Sequence, residues 1–188
     1  MSRYAPVELL RADHDASTFD CGSDQQTIWL RRYALIAQQA GTARVYVACP
    51  VGERKVAAYH ALAAGSMLPE AASARLAAGA GRYPIPVVIL TRLGVGTVEQ
   101  GRGLGSALLR DAMKRAATAA GRIGIRALLI HAESSSAAAF YRRIDPAFEP
   151  SPVEPLHLVL LMKDIRAAIQ RAAVDQAAES DDPQVTGG

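Results

Sequence analysis

The sequence has little that would staple or anchor a fold. Its 188 residues include two cysteines, Cys21 and Cys49, with neither metal-ligand spacing nor a histidine cluster beside them. No zinc site is therefore expected, and both thiols read as reduced. Long apolar runs are missing too. The longest, 87–90 and 158–162, fall far short of the roughly 20 residues that span a bilayer, so no membrane contact is expected. The opening MSRYAPVELLRADH lacks a basic stretch followed by an apolar one, which makes the cytoplasm the expected compartment. Lysine is scarce, present only as Lys55, Lys114 and Lys163, and arginine supplies the rest of the 21 basic residues. Composition drift accounts for that bias as well as function does, although arginine's planar fork suits phosphate better than an ammonium does.

What is present suits one compact domain. Half of the residues are hydrophobic, and a chain of this size buries about two-thirds to 70% of its unfolded surface without disulfides or a structural metal. The stretch 172–188 carries Asp175, Glu179, Asp181 and Asp182 and no base, so residues 1–171 hold 21 basic against 14 acidic residues, a net +7. Residues 1–171 are expected to form the domain, and 172–188 the end of a C-terminal helix followed by a disordered acidic tail. A basic body is compatible with nucleic acid or a phosphorylated cofactor, and equally with an ordinary solvated surface.

A first strand over 7–10 leads through DCGSD at 20–24, rich in turn and N-cap chemistry, into a helix over about 24–40 that Gly41 ends. Ile28, Trp29, Ile36 and Ala40 fall near helical spacing there, leaving Arg31, Arg32, Gln38 and Gln39 on other faces. Strands over 44–49 and 56–66, joined by a turn at 50–54, make an antiparallel pair. A short helix begins at Pro69, and Gly79, Gly81 and Pro84 stop it before the most strand-like stretch, 86–95. The loop GTVEQGRGLG at 96–105 opens a helix in which Leu104, Ala107, Leu108, Ala112 and Ala116 recur with helical period, and Gly121 caps it. A strand over 125–131, a helix over 134–143 and a last strand over 155–162 follow, with Pro146, Pro150 and Pro152 keeping the intervening segment irregular. From 163 to about 178, Ile165, Ala168, Ile169 and Ala172 mark an amphipathic helix, and 179–188 reads as disordered. The order, without internal repeat, is that of an α/β fold with a mixed sheet.

The run Gln100, Gly101, Arg102, Gly103, Leu104, Gly105 follows a strand and opens a helix. Bare N–H groups and the helix dipole can hold a pyrophosphate there, glycines let the backbone come close, and Arg102 adds a cation. No Gly-Lys-Ser/Thr follows, so the Walker pattern fails. The dinucleotide fingerprint needs an early parallel βαβ unit, whereas these glycines come after an antiparallel meander. A glycine-rich turn without a ligand stays open on spacing alone.

The pattern that fits is Gln/Arg-x-x-Gly-x-Gly/Ala, met by Gln100, Gly103 and Gly105, and here the chain resembles the GNAT family of acetyl-CoA-dependent N-acetyltransferases. The resemblance implies a mixed, mostly antiparallel sheet splayed at the acetyl-CoA site. It implies that the loop, with Ser106, wraps the CoA pyrophosphate. The strand end 91–95, with Leu93, Gly94 and Val95, would offer backbone groups to the pantetheine and the acetyl carbonyl. Ser134, Ala137, Phe140 and Tyr141 match the family's Asn-x-x-Ala-x-x-Phe-Tyr except at its first position. The resemblance thus places Ser134 and Phe140 at the cofactor and makes Tyr141 the general acid that protonates the departing thiolate. After Tyr141 the family's Gly-Phe turn is absent, and Phe148 is its counterpart. Bases for the attacking amine are offered only by position, at His131 and Glu133, which fits an amine of low pKa.

Five further segments narrow the likeness: FDCG at 19–22, RRY at 31–33, RVYVA at 44–48, the stretch 59–66 and PVVILTRL at 86–93. Together, across about 7–166, they resemble the GNAT toxins of bacterial toxin–antitoxin pairs. That resemblance implies acetylation of the α-amino group of the amino acid on charged tRNA, which stops translation, with acetyl-CoA as co-substrate and no metal. It also implies a small ribbon-helix-helix antitoxin and a homodimer. Arg31, Arg32, Arg44, Arg75, Arg82 and Arg92 are the available contacts to RNA, where counterion release would supply much of the affinity. A GNAT enzyme acting on a small amine, an antibiotic or a protein N-terminus, and a non-catalytic CoA-binding regulator, are the alternatives. Which amino acid would be acetylated stays open.

Overall fold

The structure, a computed structural model, describes residues 3–180. Seven strands form one sheet in the order β1-β2-β3-β4-β5-β7-β6. They are β1 (Glu8–Leu9), β2 (Arg44–Ala48), β3 (Ala58–Met67), β4 (Ile85–Val95), β5 (Ala127–His131), β6 (Glu149–Pro150) and β7 (His157–Leu161). Among these strands β4 and β5 pair in parallel and all other neighbours are antiparallel.

Helices cover both faces. On one side α4 (Leu104–Ala120), α5 (Ser135–Ile144) and α6 (Met162–Ser180) enclose a core in which Leu109 and Met113 meet Leu128, Ile130, Leu158, Leu160 and Phe148. On the other, α1 (Asp24–Ile28), a π turn (Trp29–Tyr33) and α2 (Ala34–Gln39) run as one helical stretch over Val45, Val47, Tyr59 and Ala61. The short α3 (Ala74–Ala77) seals the same side with Leu76 against Ile85, Val87 and Leu129. Serine hydroxyls start three of these helices: Ser23, Ser73 and Ser134 each accept a backbone N–H of the first turn.

The decisive feature for function is an irregularity in β4. Leu90 pairs with Leu62 and Arg92 with Ala61, so Thr91 is an extra residue, and its hydroxyl donates to the Ala61 carbonyl at 3.2 Å. The parallel ladder between β4 and β5 ends at Leu90 and Ile130, immediately before that bulge. From there β4 continues to Val95 paired with β3 alone, and the sheet opens.

Three expectations from the sequence need correction. The packing face of the first helix is Gln26, Thr27, Leu30 and Ala34, while Ile28 and Ile36 are 45% and 61% exposed and Ala40 is exposed. The π turn, closed by the Ala34 N–H on the Trp29 carbonyl, adds a residue to one turn and shifts the phase that a 3.6-residue period assumes. The proline-rich segment before β7 contains β6, whose Glu149 and Pro150 pair with Val159 and Leu158. An edge position tolerates a proline because no inward N–H is needed. Finally, α6 carries on through Glu179 and Ser180, and the rest of the expected tail, 181–188, lies outside the described residues. No helix among the described residues is long and apolar enough to cross a membrane.

A buried charge network ties β3 to α4 and makes a prediction about pH. His60 Nε2 lies 2.7 Å from Asp111 Oδ2, which also accepts Arg115 Nε at 2.6 Å, and the Arg115 guanidinium covers the Tyr46 ring at 3.8 Å. Burial pushes His60 below the ordinary histidine value of 6.5, against the pull of Asp111. Burial works to raise Asp111, but its bonds to His60 and Arg115 win and hold it below the ordinary carboxylate value. Below pH 6.5 the unfolded chain therefore binds more protons than the folded one, and stability falls as pH falls. The unfolding midpoint should drop between about pH 7 and pH 5.5, a range chosen around the reference histidine value, and His60→Leu should flatten that drop. An unchanged slope in His60→Leu would remove the network from the acid response.

Candidate active site

The opening between β4 and β5 is the mouth of a cavity of about 490 Å³. One wall is the end of β4 with the loop and α4 beyond it. Gln100 stitches this wall together, its Nε2 donating to the carbonyls of Val95 and Cys21 at 3.1 Å each. Gly101 and Gly103 take φ values of +76° and +80°, which only glycine adopts cheaply, and they turn the chain into α4. Gly103 is the N-cap and brings no side-chain hydrogen bond, so no N-cap side chain occupies the first N–H groups of α4. A Cβ on Gly105 would stand 3.2 Å from Phe140 Cζ, which is how closely α5 approaches α4 across the cavity.

Leu93, Gly94, Val95, Gln100, Gly101, Gly103, Leu104, Gly105, Ser106 and Phe140, all expected from sequence, line this one cavity. Two expected cofactor residues do not. Ser134 caps α5, its Oγ accepting from Ala137 N at 3.2 Å and lying 2.8 Å from Ser136 Oγ. Arg102 points its Nη1 to Glu99 Oε2 at 3.3 Å, and Glu99, buried beside the loop, also takes Arg3 at 3.3 Å and the Tyr4 hydroxyl. The loop thus carries a compensated carboxylate that spacing alone did not announce.

Tyr141 lies in the inner face of α5 beside Phe140, with ring centroids 5.3 Å apart, and against Phe148 at 6.3 Å. It is buried and does not itself line the cavity, which its neighbour Phe140 does. Burial, and then the Glu133 carboxylate, push its phenol up to about 12. A phenol so placed stays protonated through the neutral range, as a proton donor must.

The cavity lining also includes residues that sequence reasoning missed or placed only by position: Cys21, Ser23, Gln26, Glu133 and Arg143. Tyr59, fully buried on β3, sets its hydroxyl 2.8 Å from the Gln26 carbonyl oxygen and 3.0 Å from Gln26 Oε1. Gln26 Nε2 then donates to Glu133 Oε1 at 2.7 Å. Tyr59 itself is wedged between Phe19, edge-on at 5.5 Å, and Trp29, stacked at 6.0 Å. The motif at 19–22 pointed to this segment, but no local pattern announces a glutamine that bridges 107 residues. Of the two positional bases, Glu133 therefore reaches the cavity. His131 stacks on His157 at 3.9 Å, outside the lining.

The six arginines considered for RNA divide sharply. Arg75 is engaged by Glu149 and, at 2.9 Å, by Asp164. Arg92 is half-buried, its guanidinium 5.4 Å from the Trp29 ring centre and its Nη1 donating to the Thr91 carbonyl at 2.7 Å. Arg44, at the start of β2, and Arg82, just before β4, are exposed at positions remote from Val95; β4 alone is 11 residues long. Arg31 and Arg32 are exposed on the π turn. Among the described residues no group of three or more His, Cys, Asp or Glu could hold a metal ion.

No family model matches the chain. Solved structures do. AtaT complexed with acetyl-methionyl-tRNAfMet superposes with a TM-score of 0.80 at 26% identity, covering 88% of this chain and 99% of that one. A tyrosine-to-phenylalanine mutant of AtaT bound to the C-terminus of the antitoxin AtaR and acetyl-CoA gives 0.76 at 26% identity, covering 89% and 99%. A mutant of KacT, at 21% identity and a TM-score of 0.81 over 89% and 99%, shares the fold. The open, mostly antiparallel seven-stranded sheet with its flanking helices is that of an acetyltransferase of the GNAT fold. Among curated proteins, a tRNA-acetylating toxin of Mycobacterium tuberculosis is 46% identical over 170 residues, 90% of this chain and 99% of the relative. A probable toxin TacT of Sinorhizobium fredii is 30% identical over 165 residues, 82% and 88%. The chain belongs to the family of tRNA-acetylating toxins.

Proposed function

We propose that this chain is the toxin of a toxin–antitoxin pair, acting in the cytoplasm, that moves acetyl from acetyl-CoA to the α-amino group of the amino acid on charged tRNA and so stops translation. The observation that carries this reading is the cavity. It joins a glycine cradle at the start of α4 to an opened β4 edge, with a buried tyrosine next to its Phe140 wall, in a chain 46% identical to a tRNA-acetylating toxin. The first N–H groups of α4, at Leu104, Gly105 and Ser106, hold the pyrophosphate. Past Leu90, β4 has no strand partner on its β5 side among the described residues, so those backbone groups of Leu93 to Val95 that face away from β3, apart from the Val95 carbonyl that accepts Gln100, pair with the pantetheine amides and the acetyl oxygen. Tyr141 gives its proton to the departing thiolate. The partners of this reading are a small ribbon-helix-helix antitoxin that covers the site and a second copy of the chain.

Radiolabelled acetyl-CoA supplied with total charged tRNA, and separately with deacylated tRNA, tests it directly. Label on charged tRNA alone is the expected result. Label on neither, with acetyl-CoA still bound, would move the substrate to small amines or protein N-termini.

Arg31 and Arg32 are the exposed arginines on the helix that borders the cavity through Gln26. Reversing both to Glu should weaken tRNA binding and make the slope of log affinity against log salt shallower by about one for each phosphate no longer neutralised. An unaltered slope would assign both to plain solvation.

A further inference from the structure

We infer that Glu133, held by Gln26, receives the α-ammonium of the aminoacyl group and takes its proton before attack, while Gln26 acts as a positioning residue. The inference rests on the functional reading above. Two carboxylates line the cavity. Glu99 is already matched by Arg3, Arg102 and the Tyr4 hydroxyl. Glu133 takes part in none of the ion pairs among the described residues, and the Gln26 side chain that holds it is a neutral amide, which orients a carboxylate without cancelling its charge. An arriving ammonium is the group that would complete it.

The support for Glu133 is built from buried parts. Gln26 is 8% exposed, and the hydroxyl of fully buried Tyr59 beside Gln26 Oε1 leaves Nε2 turned to Glu133. Tyr59 also packs against the acetyl-presenting strand, since a Cβ on Gly94 would stand 2.7 Å from its Cε1. The carboxylate and the strand end are thus fixed to the same ring. Charged or titratable groups near Glu133 are Tyr141 of α5 and Tyr59 behind Gln26, both of which feel its charge, and Cys21, Glu99 and Arg143 in the same cavity lining; Arg92 of β4 acts on the same Tyr59.

The protons balance. Glu133 removes one proton from the ammonium, and the neutral nitrogen forms its bond to the thioester carbon. As the carbon–sulfur bond breaks, Tyr141 protonates the sulfur and regains a proton from the nitrogen. The products are the amide and the free thiol, and Glu133 releases one proton to water.

Glu133→Gln tests this without changing shape. At pH 6, where the α-ammonium still outweighs the free amine, kcat/KM on charged tRNA should fall roughly 10²-fold, and the loss should shrink to a few-fold by about pH 8, where half or more of the amine is neutral unaided. Glu133→Asp should keep the trend with a smaller loss, and Gln26→Leu should show an intermediate loss of the same pH shape. Acetyl-CoA affinity by calorimetry should be unchanged in Glu133→Gln. A pH-independent loss, or none, overturns the role of Glu133. Wild-type protein that leaves charged tRNA unlabelled would instead overturn the functional reading, and the inference with it.

Discussion

Replacing Tyr141 with phenylalanine is expected to slow acetyl transfer by about 10²-fold or more while leaving acetyl-CoA binding nearly unchanged. The substitution removes one oxygen from a ring that α5 already packs against Phe140 and Phe148, so neither the cavity wall nor the glycine cradle is disturbed. What is lost is the proton. With its phenol pushed up to about 12, chiefly by burial, Tyr141 is a weak acid next to a free thiol of about 8.5, and outright transfer would be uphill. The transfer becomes feasible when the nitrogen, which must shed a proton as the amide forms, restores the phenol in the same step. The wild-type rate should therefore show no alkaline limb from Tyr141 below about pH 10, well under the value of its buried phenol. Equal turnover of wild type and Tyr141→Phe in the radiolabel assay would remove Tyr141 from the mechanism.

Gly103→Val is expected to weaken acetyl-CoA binding by at least about 10²-fold, because it costs two or more charge-assisted hydrogen bonds at the pyrophosphate. The reason is conformational. Gly103 sits at φ +80°, and a Cβ there meets nothing within 4 Å, so there is no internal clash. A β-branched residue still cannot hold that φ without a strain of roughly 1–3 kcal/mol, and relief of the strain swings the first N–H groups of α4 out of line. Gly105→Val fails differently, by pushing its Cβ into Phe140 at 3.2 Å. The fold should survive Gly103→Val, with an unfolding midpoint within a few degrees of wild type. Calorimetric affinity equal to wild type would sink the assignment of this loop.

Much of the cavity lining was legible because its parts are local. A glycine run between a strand and a helix confines the backbone to a tight turn, and Gln100, Gly103 and Gly105 occur at the spacing of the GNAT pattern. Phe140 and Tyr141 follow at the expected distance along the chain. Arg75 shows where such reading stops. Sequence alone offered it to RNA, but Glu149 and Asp164, 74 and 89 residues away, hold it instead. Gln26 shows the converse, since an ordinary polar residue in a first helical turn becomes the bridge between Tyr59 and Glu133 only when three elements meet. Beyond Tyr33, at Ile36 and Ala40, the packing face of the same helix was misread because a period of 3.6 cannot anticipate the wider turn at Trp29 to Tyr33.

By itself, the sequence determined the order of the strands and helices apart from β6, the glycine turn into α4 and the placing of Tyr141 on α5, because φ preferences, caps and hydrophobic period act over a few residues. The tertiary structure alone decided the opening of β4 from β5 at Thr91, the pairing of Glu99 with Arg3 and Arg102, and the presence of Glu133 but not His131 in the cavity lining. Those outcomes depend on burial, register and charge contacts between segments far apart in the chain, which no local pattern encodes.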